Sequence, residues 1–266
     1  MKKLLPLSTE FIYQLFSLIL IIIVVHAAYV GIIRPHADAI LEQQAAMIQK
    51  YKTLIAERSA YVLIMDYEQE ACFILMFWAL AIILYKGVET VRNRALLFMD
   101  LLPLDEGMRI LPEDTRDLSR RIQALPPHQR RSLLPRALLA ALQRFSTTNN
   151  IQDVASASHA YCVSEGERLE SELAMIRYIA WAIPSIGFIG TVRGIGDALG
   201  QAHRAVEGDI TGVTASLGVA FNSTFSALVI SIVLMFFIHQ LQLMQERLVL
   251  DSERYVDRWL VRRLQT

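Results

Sequence analysis

The stretch Ile183–Leu199, IPSIGFIGTVRGIGDAL, is apolar enough to sit in lipid, yet it holds a proline, four glycines, a threonine and an arginine. These residues weaken or hydrate an isolated helix, so their presence needs a reason. Small residues let two helix backbones approach closely, and in a bilayer that approach replaces the missing hydrophobic drive for association. Gly190 and Gly194 stand at GxxxG spacing. A proline is tolerated in a membrane helix where neighbours stabilise the kink. Pro184, Gly187, Gly190 and Gly194 are therefore expected to serve helix packing.

The next apolar segment carries LGVAFNSTFSALVIS, Leu217–Ser231. Helical spacing puts Leu217, Ala220, Thr224, Ala227, Leu228 and Ser231 along one side, with the polar Asn222 and Ser223 beside that stripe. The two segments are joined by a short connection and run antiparallel, so Thr191 and Thr224 are expected at similar depths. Two hydroxyls there make a weakly polar, wettable wall. Hydroxyls also bond back to their own helix backbone, and spacing alone leaves pore and packing level.

No Asp or Glu stands in the middle of either segment; Asp197 lies at an end. A proton or sodium route needs an ionisable or anionic group inside the membrane, so an ion pathway here requires a carboxylate from a partner. Arg193 is expected to snorkel toward the outer interface and to meet Asp197 one turn later. The pair is a candidate outer gate or counter-ion.

Working outward, the 266-residue chain is 54% hydrophobic, which points to a membrane protein. A bilayer core of about 30 Å needs roughly 20 apolar helical residues. Residues 11–33 supply a first span, too long for a typical signal-peptide core and so expected to stay uncleaved. Residues 71–87 supply a second, with Trp78 and Tyr85 as interface anchors. The third runs from Tyr178 to Ala198 and the fourth from Val213 to Gln240. The fold class is all-α, a polytopic membrane protein with four transmembrane helices and long helices extending into the cytoplasm.

Loop charge sets the orientation. From Lys86 to Arg177 there are 13 Lys and Arg, and the tail adds Arg247, Arg254, Arg258, Arg262 and Arg263. The third-to-fourth connection holds only Arg204, and residues 34–70 hold four basic against six acidic residues. The positive-inside rule places both termini and the long loop in the cytoplasm. The expected organisation is 1–33 N-terminus and first span, 34–70 extracytoplasmic helical segment, 71–87 second span and 88–176 cytoplasmic helical loop. A channel core over 177–240 and a cytoplasmic helical tail over 241–266 complete it.

In the extracytoplasmic segment, Ile40, Leu41, Ala45, Ile48, Tyr51, Leu54, Ile55, Arg58, Tyr61 and Val62 recur at helical spacing. Pro35 is expected to break this helix from the first span. No Gly or Pro then intervenes before Gly87, so one long helix is expected to enter the second span. In the loop, Pro112 heads a short helix, and Asn149 or Asn150 offers an N-cap for a helix continuing into the third span.

Several classes are unsupported. Net charge is zero, so a basic nucleic-acid footprint is missing. Cys72 and Cys162 fall in a span and in the cytoplasmic loop, which argues against a disulfide framework. There is no zinc-type spacing, no clustering of the six histidines, no nucleotide-binding glycine loop, no HExxH and no nucleophile elbow. No catalytic residue, metal or cofactor is expected.

Taken together, Ile183–Leu199 followed by LGVAFNSTFSALVISIVLMF resembles the MotA/TolQ/ExbB proton channel family, over about Arg177 to His239. The family signature pairs a Gly-Thr-Val-x-Gly-Ile segment with a threonine-bearing, small-residue-rich span. The resemblance implies a homopentamer around a dimer of a single-span ExbD/TolR/MotB-like protein in the bacterial inner membrane. The partner's membrane aspartate would carry the proton, and Thr191 and Thr224 would line the route. By the same resemblance Gly187, Gly190 and Gly194 match the packing glycines, and Pro184 the proline before the motif. Arg193 departs from the aromatic or apolar residue of many relatives. The reading from another class is a non-conducting multi-span scaffold or sensor assembled through its cytoplasmic helices.

Overall fold

The computed structural model describes residues 9–50, 59–102 and 108–265. In chain order the helices are α1 (Thr9–Ala28), α2 (Arg34–Lys50), α3 (Ala60–Leu63), α4 (Tyr67–Ala95), α5 (Thr115–Gln123) and α6 (Pro127–Arg130). There follow α7 (Leu133–Thr148), α8 (Ile151–Glu172), α9 (Ala174–Gly200), α10 (Ala202–Val206) and α11 (Thr211–Trp259). No β-strand occurs among the described residues. Four helical runs are long and apolar enough to cross a membrane, Thr9–Gln44, Tyr67–Phe98, Ile151–Gly200 and Thr211–Arg263. The chain is an all-α, multi-pass membrane protein.

Pro35 does not end the first helix. A π-helical turn, Tyr29–Ile33, joins α1 directly to α2, and Arg34 N–H donates to the Tyr29 carbonyl. The i→i+5 turn widens the helix just ahead of the proline ring, which would otherwise press on the carbonyl four residues back.

The expected single helix from here into the second span is also interrupted, at Ile64–Asp66 between α3 and α4. No glycine or proline marks this break. The Gln69 amide donates across it to the Leu63 carbonyl at 3.1 Å, while at the other end of α3 the Ser59 hydroxyl caps the helix by accepting from Tyr61 N–H at 3.3 Å. Glu68 and Glu70 occupy the first turn of α4, where the helix dipole favours anions. Tyr51, Leu54, Ile55 and Arg58 of the expected stripe lie outside the described residues.

The chain divides into two compact units. The first comprises residues up to Ile83 and Met175–Phe237. Here Trp78, expected at an interface, is buried, and its indole N–H donates to the Gln14 carbonyl at 3.0 Å. The Tyr13 hydroxyl donates to Ala81 O at 3.2 Å, so α1 and α4 are tied twice. Away from these contacts the unit shows Phe16, Ile23, Trp181, Phe188, Phe221 and Ile232 on its exterior, the composition that lipid tails solvate.

The second unit holds Leu84–Ala174 and Ile238–Thr266. Its core joins Ile122 of α5 and Leu134, Leu138, Leu142 and Phe145 of α7 with Cys162 of α8 and Val256 of α11. Asn149 ends α7 in a left-handed conformation (φ 49°), and Asn150 caps α8 by accepting from Gln152 and Asp153 N–H. The helix after Pro112 starts at Thr115, whose hydroxyl donates to the Pro112 carbonyl. The chain end is pinned where Ile110 N–H donates to Arg263 O and Gln265 N–H to Ile110 O. Lys86, almost fully buried, pairs with Glu172 at 2.6 Å, and Arg168 bridges Glu172 and Glu165. Both cysteines are buried and unpaired.

Candidate functional site

Pro184 lies inside α9 and has no N–H to give the Ala180 carbonyl four residues earlier. That carbonyl is not left bare. The Ser231 hydroxyl of α11 donates to it at 3.1 Å. One residue before the proline, the Cys72 thiol of α4 points at the Ile183 carbonyl at 3.7 Å.

Above this point the glycines bring α9 and α11 into backbone contact. A Cβ at Gly187 would stand 2.5 Å from the Ala227 Cβ, and one at Gly190 2.5 Å from the Ser223 Cβ. At Gly194 it would meet the Ser216 carbonyl at 2.7 Å and Ala220 at 2.8 Å. None of these separations is available to a real Cβ. Gly196, on the other side of α9, has nothing within 4 Å. The alanines and serines of α11 thus meet the glycines of α9 small against small, as close packing in lipid requires.

Within this seam Thr191 and Thr224 come together. Their hydroxyls are hydrogen-bonded to each other. The Thr224 hydroxyl is also 3.1 Å from the Gly187 carbonyl, and that of Thr191 is 3.0 Å from the Ala220 carbonyl. Each threonine therefore reaches the backbone of the opposite helix. Thr191 has its own Gly187 carbonyl at 3.4 Å as a longer alternative. Both residues are half-buried.

The neighbouring polar pair separates. Ser223 is buried against Gly190 and its hydroxyl lacks a partner, whereas Asn222 is half-buried.

Arg193 does not pair with Asp197. Its guanidinium meets the Glu68 carboxylate in bidentate fashion at 2.7 and 2.8 Å, with Asp66 at 3.7 Å. A basic side chain selects the closer and better desolvated fork of acids at the start of α4. Burial pushes the Asp66 carboxyl up from the ordinary aspartate value, and Arg193 opposes that push. Glu70, buried one turn further along, takes His26 at 2.7 Å and Arg34, whose guanidinium lies 4.3 Å from the centre of the Tyr67 ring. Sequence reasoning missed Asp66, Glu68 and Glu70. The available signal was three acids in five residues just ahead of an apolar run, a helix-start pattern. Among the described residues no cluster of His, Cys, Asp and Glu could hold a metal ion.

Residues 129–254 match the family model described as the MotA/TolQ/ExbB proton channel family. Over those residues this chain is similar to that family. The matched region is just under half of the chain and contains Pro184, all three packing glycines, both threonines and Ser231. The acids of α4 that hold Arg193 lie outside it. Neither the curated proteins nor the solved structures gave a match. That similarity, with four helices long and apolar enough to cross a membrane, supports a membrane subunit of the proton-channel kind.

Proposed function

We propose that the protein is the channel-forming subunit of an ion-driven motor or energy-transducing complex of the bacterial inner membrane. It assembles as a homopentamer around a dimer of a single-span ExbD/TolR/MotB-like partner, with both termini cytoplasmic. Thr191 and Thr224 line the ion path, and the partner's membrane carboxylate takes up and releases the proton. Pro184, Gly187, Gly190 and Gly194 hold the wall in shape, while Arg193 and its acids set the charge at the outer end.

The observation that carries this reading is the paired hydroxyls, centred in a seam whose two helices hold no acid between Ala174 and Gly196 or between Thr211 and Gln245. Hydroxyls relay and solvate a proton but do not store one at neutral pH. Neither helix of the seam supplies a store and the nearby Glu68 is engaged by Arg193, which supports assigning that role to a partner's carboxylate. Native mass spectrometry of the complex, purified in mild detergent from cells that make it, tests this. The expected species has five copies of this chain and two of a single-span protein with an acid in its span. A homo-oligomer with no such companion contradicts it.

A second reading also has an observation behind it. Both hydroxyls lie against carbonyls of the opposite helix, which suits a non-conducting scaffold whose threonines serve helix association. It predicts unchanged ion flux in Thr→Val variants that still assemble.

A further inference from the structure

Three close hydroxyl–carbonyl approaches cross the α9/α11 seam in one register. Ser231 donates in the first, and because one threonine hydrogen goes to the Thr191–Thr224 bond, the other threonine donates in one of the remaining two at a time. Ser231 reaches Ala180, Thr224 reaches Gly187, and Thr191 reaches Ala220. A step of seven residues up α9, from 180 to 187, matches seven back along α11, from 231 to 224. The next step of four, from 187 to 191, matches four, from 224 to 220. Seven residues are about two turns, roughly 10 Å of axis, so the links lie along one line of contact.

The first link differs from the other two in kind. A serine in a helix ordinarily turns its hydroxyl onto its own backbone four residues back, which for Ser231 is Ala227. Here it crosses to the one carbonyl in α9 that proline has deprived of its donor. A buried carbonyl without a partner in lipid is costly, and Ala180 is almost fully buried. A serine hydroxyl is short, so it reaches across only where the backbones are close. The Gly187–Ala227 contact provides that closeness one to two turns away.

We propose that Ser231 is a positioning residue: its hydroxyl stands in for the missing Pro184 N–H at the Ala180 carbonyl. It thereby fixes the α9/α11 register that brings Thr191 and Thr224 together. Proline and serine act as one device, because the proline creates the vacancy that only this register fills. The functional consequence rests on the threonine pathway proposed above; the structural claim does not.

The test is a cycle of full-length variants in lipid nanodiscs: Ser231→Ala, Pro184→Ala, and both. Pro184→Ala returns an N–H to Ala180 within α9, so the hydroxyl loses its task. Ser231→Ala is expected to weaken the folding equilibrium roughly three- to twentyfold with Pro184 present, the range for hydrogen bonds between membrane helices. With Pro184→Ala the effect should fall below twofold. Ser231→Thr, which keeps the hydroxyl, should restore the parent value. Equal effects in both backgrounds, or failure of Ser231→Thr to rescue, would overturn the proposal.

Register is read separately by the rate at which Thr191→Cys and Thr224→Cys form a disulfide under mild oxidant. Ser231→Ala should slow that rate several-fold, and adding Pro184→Ala should restore it. A rate indifferent to Ser231 overturns the register claim. Neither readout involves ion flux, so both test the serine–proline device even if the threonines carry no ions.

Discussion

The Thr191 hydroxyl of α9 is hydrogen-bonded to the Thr224 hydroxyl of α11, and each also lies against a carbonyl of the other's helix. A hydroxyl so placed is satisfied within the protein and still holds a second lone pair for water or a proton donor. Replacing Thr191 or Thr224 by valine keeps the shape and removes that capacity. Proton flux into membrane vesicles carrying the whole complex should fall at least tenfold, equivalent to about 1.4 kcal/mol in the barrier. Serine at either position should keep most of it. Valine variants that assemble and conduct normally would support the scaffold reading.

The seam tolerates no added carbon on one face of α9. Gly187→Ala, Gly190→Ala and Gly194→Ala each place a Cβ under 3.0 Å from atoms of α11 and should destabilise by about 1–3 kcal/mol, the usual cost of overpacking. Gly196→Ala meets open space and should be neutral or stabilising by up to about 1 kcal/mol, from helix propensity. Thermal unfolding in nanodiscs measures all four. A Gly196→Ala loss as large as the other three would mean that helix packing is not what these glycines serve.

Arg193 and Glu68 should show coupling in a double-mutant cycle. The arginine is 42% exposed and the glutamate 12%, so solvent screens the pair and the coupling should be roughly 0.5–1 kcal/mol, weakening in high salt. Arg193→Gln with Asp197→Asn should be additive. Strong Arg193–Asp197 coupling would contradict the pairing across α4 and α9.

Asp66 predicts a pH dependence of known sign. Burial raises its folded-state pKa, so the folded protein holds this proton more tightly than the unfolded chain. The resulting stability is present below the ordinary aspartate value and is lost as pH rises through the raised one. Asp66→Asn should therefore unfold at higher temperature than the parent at pH 7.5, and the gain should shrink toward pH 4. An asparagine variant less stable at neutral pH would show that the Arg193 contact outweighs burial.

The four membrane helices, the packing glycines and the similar depth of Thr191 and Thr224 were legible in the sequence, from apolar length, small-residue spacing and a short antiparallel connection; the hydrogen bond between the two hydroxyls was not. Four other features were not. The helix runs through Pro35 because a π-turn precedes it, and nothing in composition marks a π-turn. The break at Ile64–Asp66 is spanned by the Gln69 side chain reaching the Leu63 carbonyl, with no glycine or proline to mark it. Arg193 chose Glu68 over Asp197 because tertiary packing delivers α4 to its guanidinium, while one-dimensional spacing sees only the next turn. Ser231 stood on the predicted stripe, but its pairing with the carbonyl freed by Pro184 depends on the three-dimensional register.

On the proposed function, this chain walls an ion path and borrows its acid. Cryo-electron microscopy of the complex purified from its own membranes decides between a borrowed and an internal acid. The expected map shows a helix from another polypeptide inside the oligomer, with a carboxylate within hydrogen-bond or single-water reach of Thr191 or Thr224. A centre closed by this chain's own side chains, or a seam facing only lipid, would contradict that function.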